Sequence, residues 1–140
     1  MASNLIQGTG GVAYMLNRQQ APDILKGYPA AWTTGSVAGA LQINYDNRTL
    51  SQYAQAVTAG DASGCPGKFL TNKEPLAGGF GMRVTNACDM NGTPMLIVYT
   101  LMPRRAGGLY AVLNYSTVDV DAAMQLDQAM AATLAKLAGF

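Results

Sequence analysis

The clearest pattern of hydrophobic positions lies in the last sixty residues, where turn sequences separate three apolar runs. The runs span residues 81–90, 94–102 and 109–115. Asn91-Gly92, a strong hairpin signal, joins the first two, and the five residues 104–108 join the next two. The pattern therefore predicts three successive antiparallel strands, followed by one long helix over residues 119–137.

Weaker patterns precede this region. Apolar residues at alternate positions of 38–45 predict a half-buried strand. Thr49 and Gln52 have the spacing of a capping box, which predicts a short amphipathic helix that ends at Gly60. Residues 1–36 have no sustained periodicity, so we expect an irregular N-terminal segment of the same domain.

These elements predict an α+β fold, with an antiparallel β-meander flanked by helices and the long C-terminal helix packed on the sheet. We expect residues 37–140 to form this α+β core. The second and third runs are apolar at adjacent positions, so both faces of the sheet must be covered. The C-terminal helix can cover one face, and either the helix after Thr49 or a second subunit must cover the other.

A further strand is expected from Gly67 onward, joined to the first apolar run by a turn at residues 75–78. The pairing of the strands can be predicted by treating each turn as a centre of reflection. The expected pairs, in chain order, are Phe69 with Val84, Val84 with Tyr99, and Tyr99 with Val112. The same reasoning places Cys65 opposite Cys88 at the open end of the first hairpin.

Cys65 and Cys88 are the chain's 2 cysteines, and their expected positions allow a disulfide. Closing a loop of about two dozen residues would add roughly 3 kcal/mol of stability. A disulfide also indicates an oxidising compartment, which means a periplasmic or secreted protein. The alternative is two reduced thiols, with Cys88 in the core and Cys65 in a loop.

A soft-metal site is a weaker hypothesis. Met82, Cys88, Met90 and Met95 share one face of the predicted sheet, and thioether and thiolate ligands suit Cu(I). Methionine is also an ordinary filler of cores, and the chain has no histidine. We therefore expect core packing, with no metal and no cofactor.

The composition also limits the classes of function. The absence of histidine excludes Ser-His and Cys-His nucleophiles, and none of the 8 acidic residues have a spacing that indicates acid–base catalysis. The net charge is +1 and the basic residues are scattered, so nucleic acid is not an expected partner. No apolar run is long enough to span a membrane, and no signal peptide is visible at the start.

Three surface or core residues are candidates for partner binding. Arg104 and Arg105 form a cationic pair at a predicted hairpin tip, where they could bind an acidic partner. The alternative is a solvated turn. Trp32 is a candidate aromatic anchor, although a lone tryptophan more often closes one end of a core, and we favour that interpretation.

The end of the chain, LYAVLNYSTVDVDAAMQLDQAMAATLAKL, resembles the ending of the PsbP-like family. This family includes the photosystem accessory subunit PsbP and bacterial lipoproteins of the DcrB type, in which a last strand leads into an acidic cap and a long closing helix. The resemblance covers residues 38–138 by pattern. It implies a PsbP-like fold and an accessory or binding role.

The sequence thus predicts a non-enzymatic, extracytoplasmic binding module that recognises a protein partner. One alternative is a carrier of a small apolar ligand, held between the sheet and the closing helix in a pocket lined by Met and Tyr. Another is a self-assembling subunit, a homo-oligomer, because only 12% of the residues are charged.

Overall fold

The computed structural model describes residues 2–76 and 78–139. Within these ranges seven strands form one antiparallel sheet, in the order β1-β2-β3-β7-β6-β5-β4. The strands are β1 (Tyr14–Leu16), β2 (Ala30–Thr33), β3 (Ala38–Asn44), β4 (Phe69–Pro75), β5 (Met82–Met90), β6 (Thr93–Pro103) and β7 (Leu109–Ser116). The helices are α1 (Ala2–Gln7), α2 (Leu50–Ser63) and α3 (Val120–Leu137), with a 3₁₀ turn at Asp23–Leu25. The predicted α+β class is confirmed.

The N-terminal third contains regular structure, so the expectation of an irregular segment is wrong. β1 and β2 extend the sheet beyond β3, and α1 packs on α3 through the buried Leu5. β1 has only 3 residues and β2 has 4. Elements this short leave no detectable hydrophobic period.

The sheet separates two apolar layers. On one side, here called the α3 face, α3 and α1 pack over residues that include Val98, Met102, Tyr110 and Val112. On the other side, the α2 face, α2 and the 3₁₀ turn pack over residues that include Val84, Ile97, Leu101 and Leu113. Helices of the same chain therefore cover both faces of the central strands.

The capping signals position both long helices. The Thr49 side chain accepts a hydrogen bond from the Gln52 backbone at 3.1 Å, and the Gln52 side chain accepts one from the Thr49 backbone at 2.9 Å. This capping box starts α2 as predicted, but α2 continues past Gly60 to Ser63. Asp119 caps α3 by accepting a hydrogen bond from Ala122 at 3.1 Å. No helix in the described ranges is long and apolar enough to cross a membrane.

The hairpin between β5 and β6 has the predicted register, with Val84 opposite Tyr99. Asn91 and Gly92 both have positive φ, 57° and 93°. Two such residues form the tight turn whose twist matches the two strands. This dipeptide therefore determines the register without help from the rest of the fold.

The register predicted for β4 and β5 is wrong by four residues, because Phe69 pairs with Cys88 instead of Val84. The prediction centred the turn on residues 75–78. The turn is instead centred on Gly78 and Gly79, whose φ values of 89° and 76° favour glycine.

The register predicted for β6 and β7 is wrong by one residue. Tyr99 pairs with Leu113 rather than Val112, because five residues separate the two strands and the centre falls on the third of them. A shift of one residue moves every side chain of a strand to the other face. Tyr110 and Val112 accordingly lie on the α3 face, opposite to Tyr99.

Candidate binding site at the disulfide end of the sheet

The predicted Cys65–Cys88 disulfide is present, with its Cα atoms 5.8 Å apart. Cys65 does not lie in β4 as the predicted register required. It lies in the loop after α2, where the chain turns back so that its Sγ is 3.4 Å from the Gly67 carbonyl. The disulfide therefore ties the end of α2 to β5, beside the start of β4.

β4 forms one edge of the sheet, and its backbone groups alternate between β5 and the open side. The Lys68 carbonyl accepts the Asp89 N–H at 2.9 Å, and the Leu76 N–H donates to the Gly81 carbonyl at 2.9 Å. Because antiparallel ladders bond every second residue, Leu70, Asn72 and Glu74 also bond to β5. The N–H groups of Phe69, Thr71 and Lys73 consequently point to the open edge.

The position of Pro75 is consistent with this alternation of inward and outward backbone groups along β4. It occupies an outward-facing position, opposite Met82, where its missing N–H removes no bond from the ladder. β4 is also exposed along almost its whole length, and no backbone hydrogen bond within the described ranges engages its outward groups. β4 is thus an open edge strand.

An apolar groove of about 380 Å³ lies beside this edge on the α3 face. Its floor is the cross-strand row of Leu70, Ala87 and Leu96, and Val120 at the start of α3 forms one wall. α3 packs on β6 and β7, which leaves this end of β4 and β5 uncovered. The Leu70 side chain is consequently 58% exposed, although it is a large aliphatic group.

A smaller cavity of about 220 Å³ lies on the α2 face of the same end. Its lining is mostly apolar and includes the disulfide. Ile24, Phe69, Met90 and Met95 contribute apolar surface, and Asp61 contributes a carboxylate. Cys88 and Met95 line both this cavity and the groove, which lie on opposite faces of the sheet.

Asp61 is the acidic group of the cavity. Its Oδ2 accepts hydrogen bonds from the Tyr99 hydroxyl at 2.8 Å and from Asn86 Nδ2 at 2.9 Å. Burial raises the pKa of Tyr99, and the nearby Asp61 carboxylate raises it further. The Tyr99 hydroxyl therefore stays protonated and serves as a fixed donor to Asp61.

Arg104 is held by its own chain. Its guanidinium lies over the rings of Tyr45 and Tyr110, 5.3 Å and 5.1 Å from their centroids, and Nη1 donates to the Gly107 carbonyl at 2.9 Å. The adjacent Arg105 donates its backbone N–H to Ala138 at 3.0 Å. Partner binding by this pair stays a prediction.

Trp32 is fully buried, with 0% of its side chain exposed. Its indole Nε1 donates to Asn114 Oδ1 at 2.8 Å in the core under α3. The interpretation as a surface anchor is therefore wrong, and the favoured interpretation, that Trp32 closes the core, agrees with the structure.

Three residues of the hypothetical metal site, Cys88, Met90 and Met95, line the same cavity, but Met82 does not join them. Met82 lies six residues from Cys88 on β5, a separation of roughly 20 Å at the rise of an extended strand. Cys88 is bonded to Cys65 and has no thiolate to offer. Among the described residues, no three Cys, Asp or Glu side chains form a group that could hold a metal ion.

Two acidic residues with structural roles were missed in the sequence. Asp127 is fully buried on the side of α3 that faces the sheet, where it accepts hydrogen bonds from Thr100 at 2.7 Å and from Arg83 at 2.9 Å. The helical spacing could have indicated its burial, because Asp127 is four residues after Ala123 on the buried stripe of α3. Asp61 likewise follows Tyr53 by eight residues, on the inner side of α2.

Comparisons with known proteins show only distant likenesses. No family model and no characterised protein sequence matches this chain. The Ran-binding protein Mog1p of Saccharomyces cerevisiae is similar with a TM-score of 0.49 and 7% identity, over 91% of this chain and 86% of that one. A mutant of protein Mog1 is similar with a TM-score of 0.49 and 8% identity, over 91% of this chain and 86% of that one. PA94, a protein of unknown function from Pseudomonas aeruginosa, is similar with a TM-score of 0.48 and 13% identity, over 85% of this chain and 78% of that one.

The resemblance to the PsbP-like family is corrected by these findings. No family model matches, and the solved structures named above are described as Mog1 proteins and PA94 rather than as PsbP or a DcrB-type lipoprotein. The resemblance depended on a strand, an acidic cap and a closing helix. The acidic residue in that pattern has a local role, because Asp119 caps the N-terminus of α3.

Proposed function

We propose that this protein is a non-enzymatic binding module of an extracytoplasmic, oxidising compartment. In this proposal it binds an extended segment of a protein partner along the open edge of β4. The observation that carries the proposal is the exposed edge itself, where the outward backbone groups of Phe69, Thr71 and Lys73 have no bonding partner within the described ranges.

Strand addition explains how such an edge gives affinity and specificity. Main-chain hydrogen bonds to the outward N–H and C=O groups hold the added strand, and its alternate side chains fall on the two faces of the sheet. The groove beside Leu70 is positioned for an apolar side chain on the α3 face. Lys68 and Lys73 keep the free edge soluble while it is unoccupied.

The disulfide supports the proposed compartment. Structural disulfides persist in the periplasm, the secretory pathway and outside cells, and are rare in a reducing cytosol. The Cys65–Cys88 bond connects α2 to β5 directly beside β4. Oxidation therefore holds the proposed binding edge against the rest of the fold.

Two variants of one residue test this proposal. Lys73→Pro removes an outward N–H, whereas Lys73→Ala removes only the side chain and keeps that donor. The immobilised variants are compared with the unaltered protein for capture of partners from the native host. We expect a partner that binds the unaltered protein and Lys73→Ala, and binds Lys73→Pro about tenfold more weakly, which corresponds to one lost hydrogen bond. Equal capture by Lys73→Pro and Lys73→Ala would exclude the edge as the site.

A second copy of this chain is the competing occupant, because two open antiparallel edges can pair about a twofold axis. Sedimentation of the purified protein over a range of concentrations distinguishes the two. If the protein forms a dimer, and Lys73→Pro weakens that dimer while Lys73→Ala does not, the homo-oligomer is favoured. A monomer at every concentration would exclude it.

A further inference from the structure

The cavity on the α2 face has a carboxylate, Asp61, and one amide side chain, Asn86, in a mainly apolar wall. Ile24, Phe69, Met90 and Met95 supply the apolar surface, and Asp61 supplies the charge. An apolar lining with a few polar groups at fixed positions is typical of small-ligand sites. Its volume of about 220 Å³ suits a small occupant, since a cavity of about 150 Å³ is enough for benzene.

The Asp61 carboxylate has hydrogen bonds but no cationic partner. Both of its bonds go to Oδ2, from Tyr99 and Asn86, which are neutral donors. Lys26, whose neighbour Ile24 lines the cavity, is already paired with Asp23 at 3.1 Å. Within the described ranges no Lys or Arg forms an ion pair with Asp61.

The second oxygen of Asp61 is available to a ligand. No hydrogen bond within the described ranges goes to Oδ1. Because those ranges contain no buried side-chain oxygen without a partner, Oδ1 is reached by solvent. A cation at Oδ1 would thus exchange water for a charge-assisted hydrogen bond without displacing Tyr99 or Asn86.

We propose that this cavity binds an alkylammonium group, with the ammonium on Asp61 Oδ1 and the alkyl chain against Phe69, Met90 and Met95. The group can come from a free small amine. It can also be a lysine side chain of the segment on β4, in which case the inference rests on the proposed function. Phe69 links the two sites, since it belongs both to the β4 edge and to the cavity.

Titration with n-butylammonium chloride, followed by the backbone ¹H–¹⁵N spectrum, tests this directly. We expect saturable shifts at residues around the cavity, and weaker binding of the neutral isostere n-butanol. Asp61→Asn keeps an oxygen for Tyr99 and Asn86 but loses the charge, so the affinity for butylammonium should fall about tenfold or more. Asp121→Asn, a matched change of an exposed carboxylate on α3, should leave it unchanged.

Three results would overturn the inference: no saturable shifts, equal affinity for butylammonium and butanol, or equal affinity of Asp61→Asn and the unaltered protein. The first two do not depend on whether a variant folds. Lys73→Pro separates this inference from the proposed function, because it alters the edge and leaves the cavity intact. Competition between butylammonium and a captured partner would identify a lysine side chain as the source, and no competition would identify a free amine.

Discussion

At the scale of single residues, the core under α3 depends on a row of three neighbours across β2, β3 and β7. Trp32 lies opposite Gly39, and Gly39 lies opposite Asn114. The missing side chain of Gly39 leaves the space in which the indole reaches the Asn114 amide oxygen at 2.8 Å. A Cβ at Gly39 would overlap both of those groups.

Gly39→Ala should therefore destabilise the protein by about 3 kcal/mol or more, through overpacking and the loss of a buried hydrogen bond. Gly60→Ala is the matched control, because a Cβ there meets nothing within 4 Å in α2. It should raise the free energy of unfolding by about 0.5–1 kcal/mol, since alanine favours the helix. Urea unfolding of both variants measures the difference. Equal effects would contradict the packing described around Trp32.

Asp127 predicts a pH dependence of stability. Burial raises its pKa above the ordinary value of 3.8, although hydrogen bonds from Thr100 and Arg83 act in the opposite direction. The native state therefore binds this proton more tightly than the unfolded chain, and the contribution of Asp127 to stability falls as pH rises above 3.8.

Asp127→Asn isolates this contribution from the other carboxyl groups. The stability of the unaltered protein minus that of Asp127→Asn should fall as the pH rises above 3.8. Urea unfolding of both proteins at several pH values gives the difference. A difference that rises with pH would mean that the ion pair with Arg83 outweighs burial.

At the scale of elements, local signals predicted the long elements and one register. Asn91-Gly92 determined the β5–β6 pairing because both residues take positive φ. The Gly78-Gly79 pair carries the same signal for β4 and β5, but the prediction places the turn at residues 75–78, two residues too early. β1 and β2 could not be predicted, because their 3 and 4 residues are ordered by pairing with β3 and not by a local pattern.

The alternation along β4 makes a prediction about neighbouring positions. Asn72→Pro removes a hydrogen bond to Thr85, whereas Lys73→Pro removes only an outward N–H. Asn72→Pro should therefore lower the free energy of unfolding by at least about 1 kcal/mol more than Lys73→Pro. Denaturant unfolding under non-reducing conditions measures both. The reverse order would show that β4 bonds to β5 through the other set of residues.

At the scale of the whole molecule, the disulfide could be predicted and the binding edge could not. The prediction of the bond depended on a β4–β5 register that is wrong by four residues, and the bond forms because the loop after α2 returns Cys65 to Cys88. The position of β4 at the edge depends on β3 pairing with β7, a contact between residues far apart in sequence. The groove and the cavity exist because of that order, so no local pattern marks Leu70 or Asp61 as site residues.

The disulfide should contribute measurably to the stability of the entire fold. Its cysteines are 23 residues apart, and a loop of that length corresponds to about 3 kcal/mol in the chain-entropy description. Replacing both cysteines by serine should lower the free energy of unfolding by about that amount. Addition of a reductant to the unaltered protein should have the same effect and none on the double variant. An unchanged midpoint in both experiments would contradict the bond.

Hydrogen exchange of the β4 amides tests the central claim most directly. In the free protein, we predict slow exchange at Leu70, Asn72 and Glu74, which bond to β5, and fast exchange at Phe69, Thr71 and Lys73. With a partner bound, the three fast amides should become protected together. Protection that appears elsewhere while Phe69, Thr71 and Lys73 still exchange fast would contradict binding at the β4 edge.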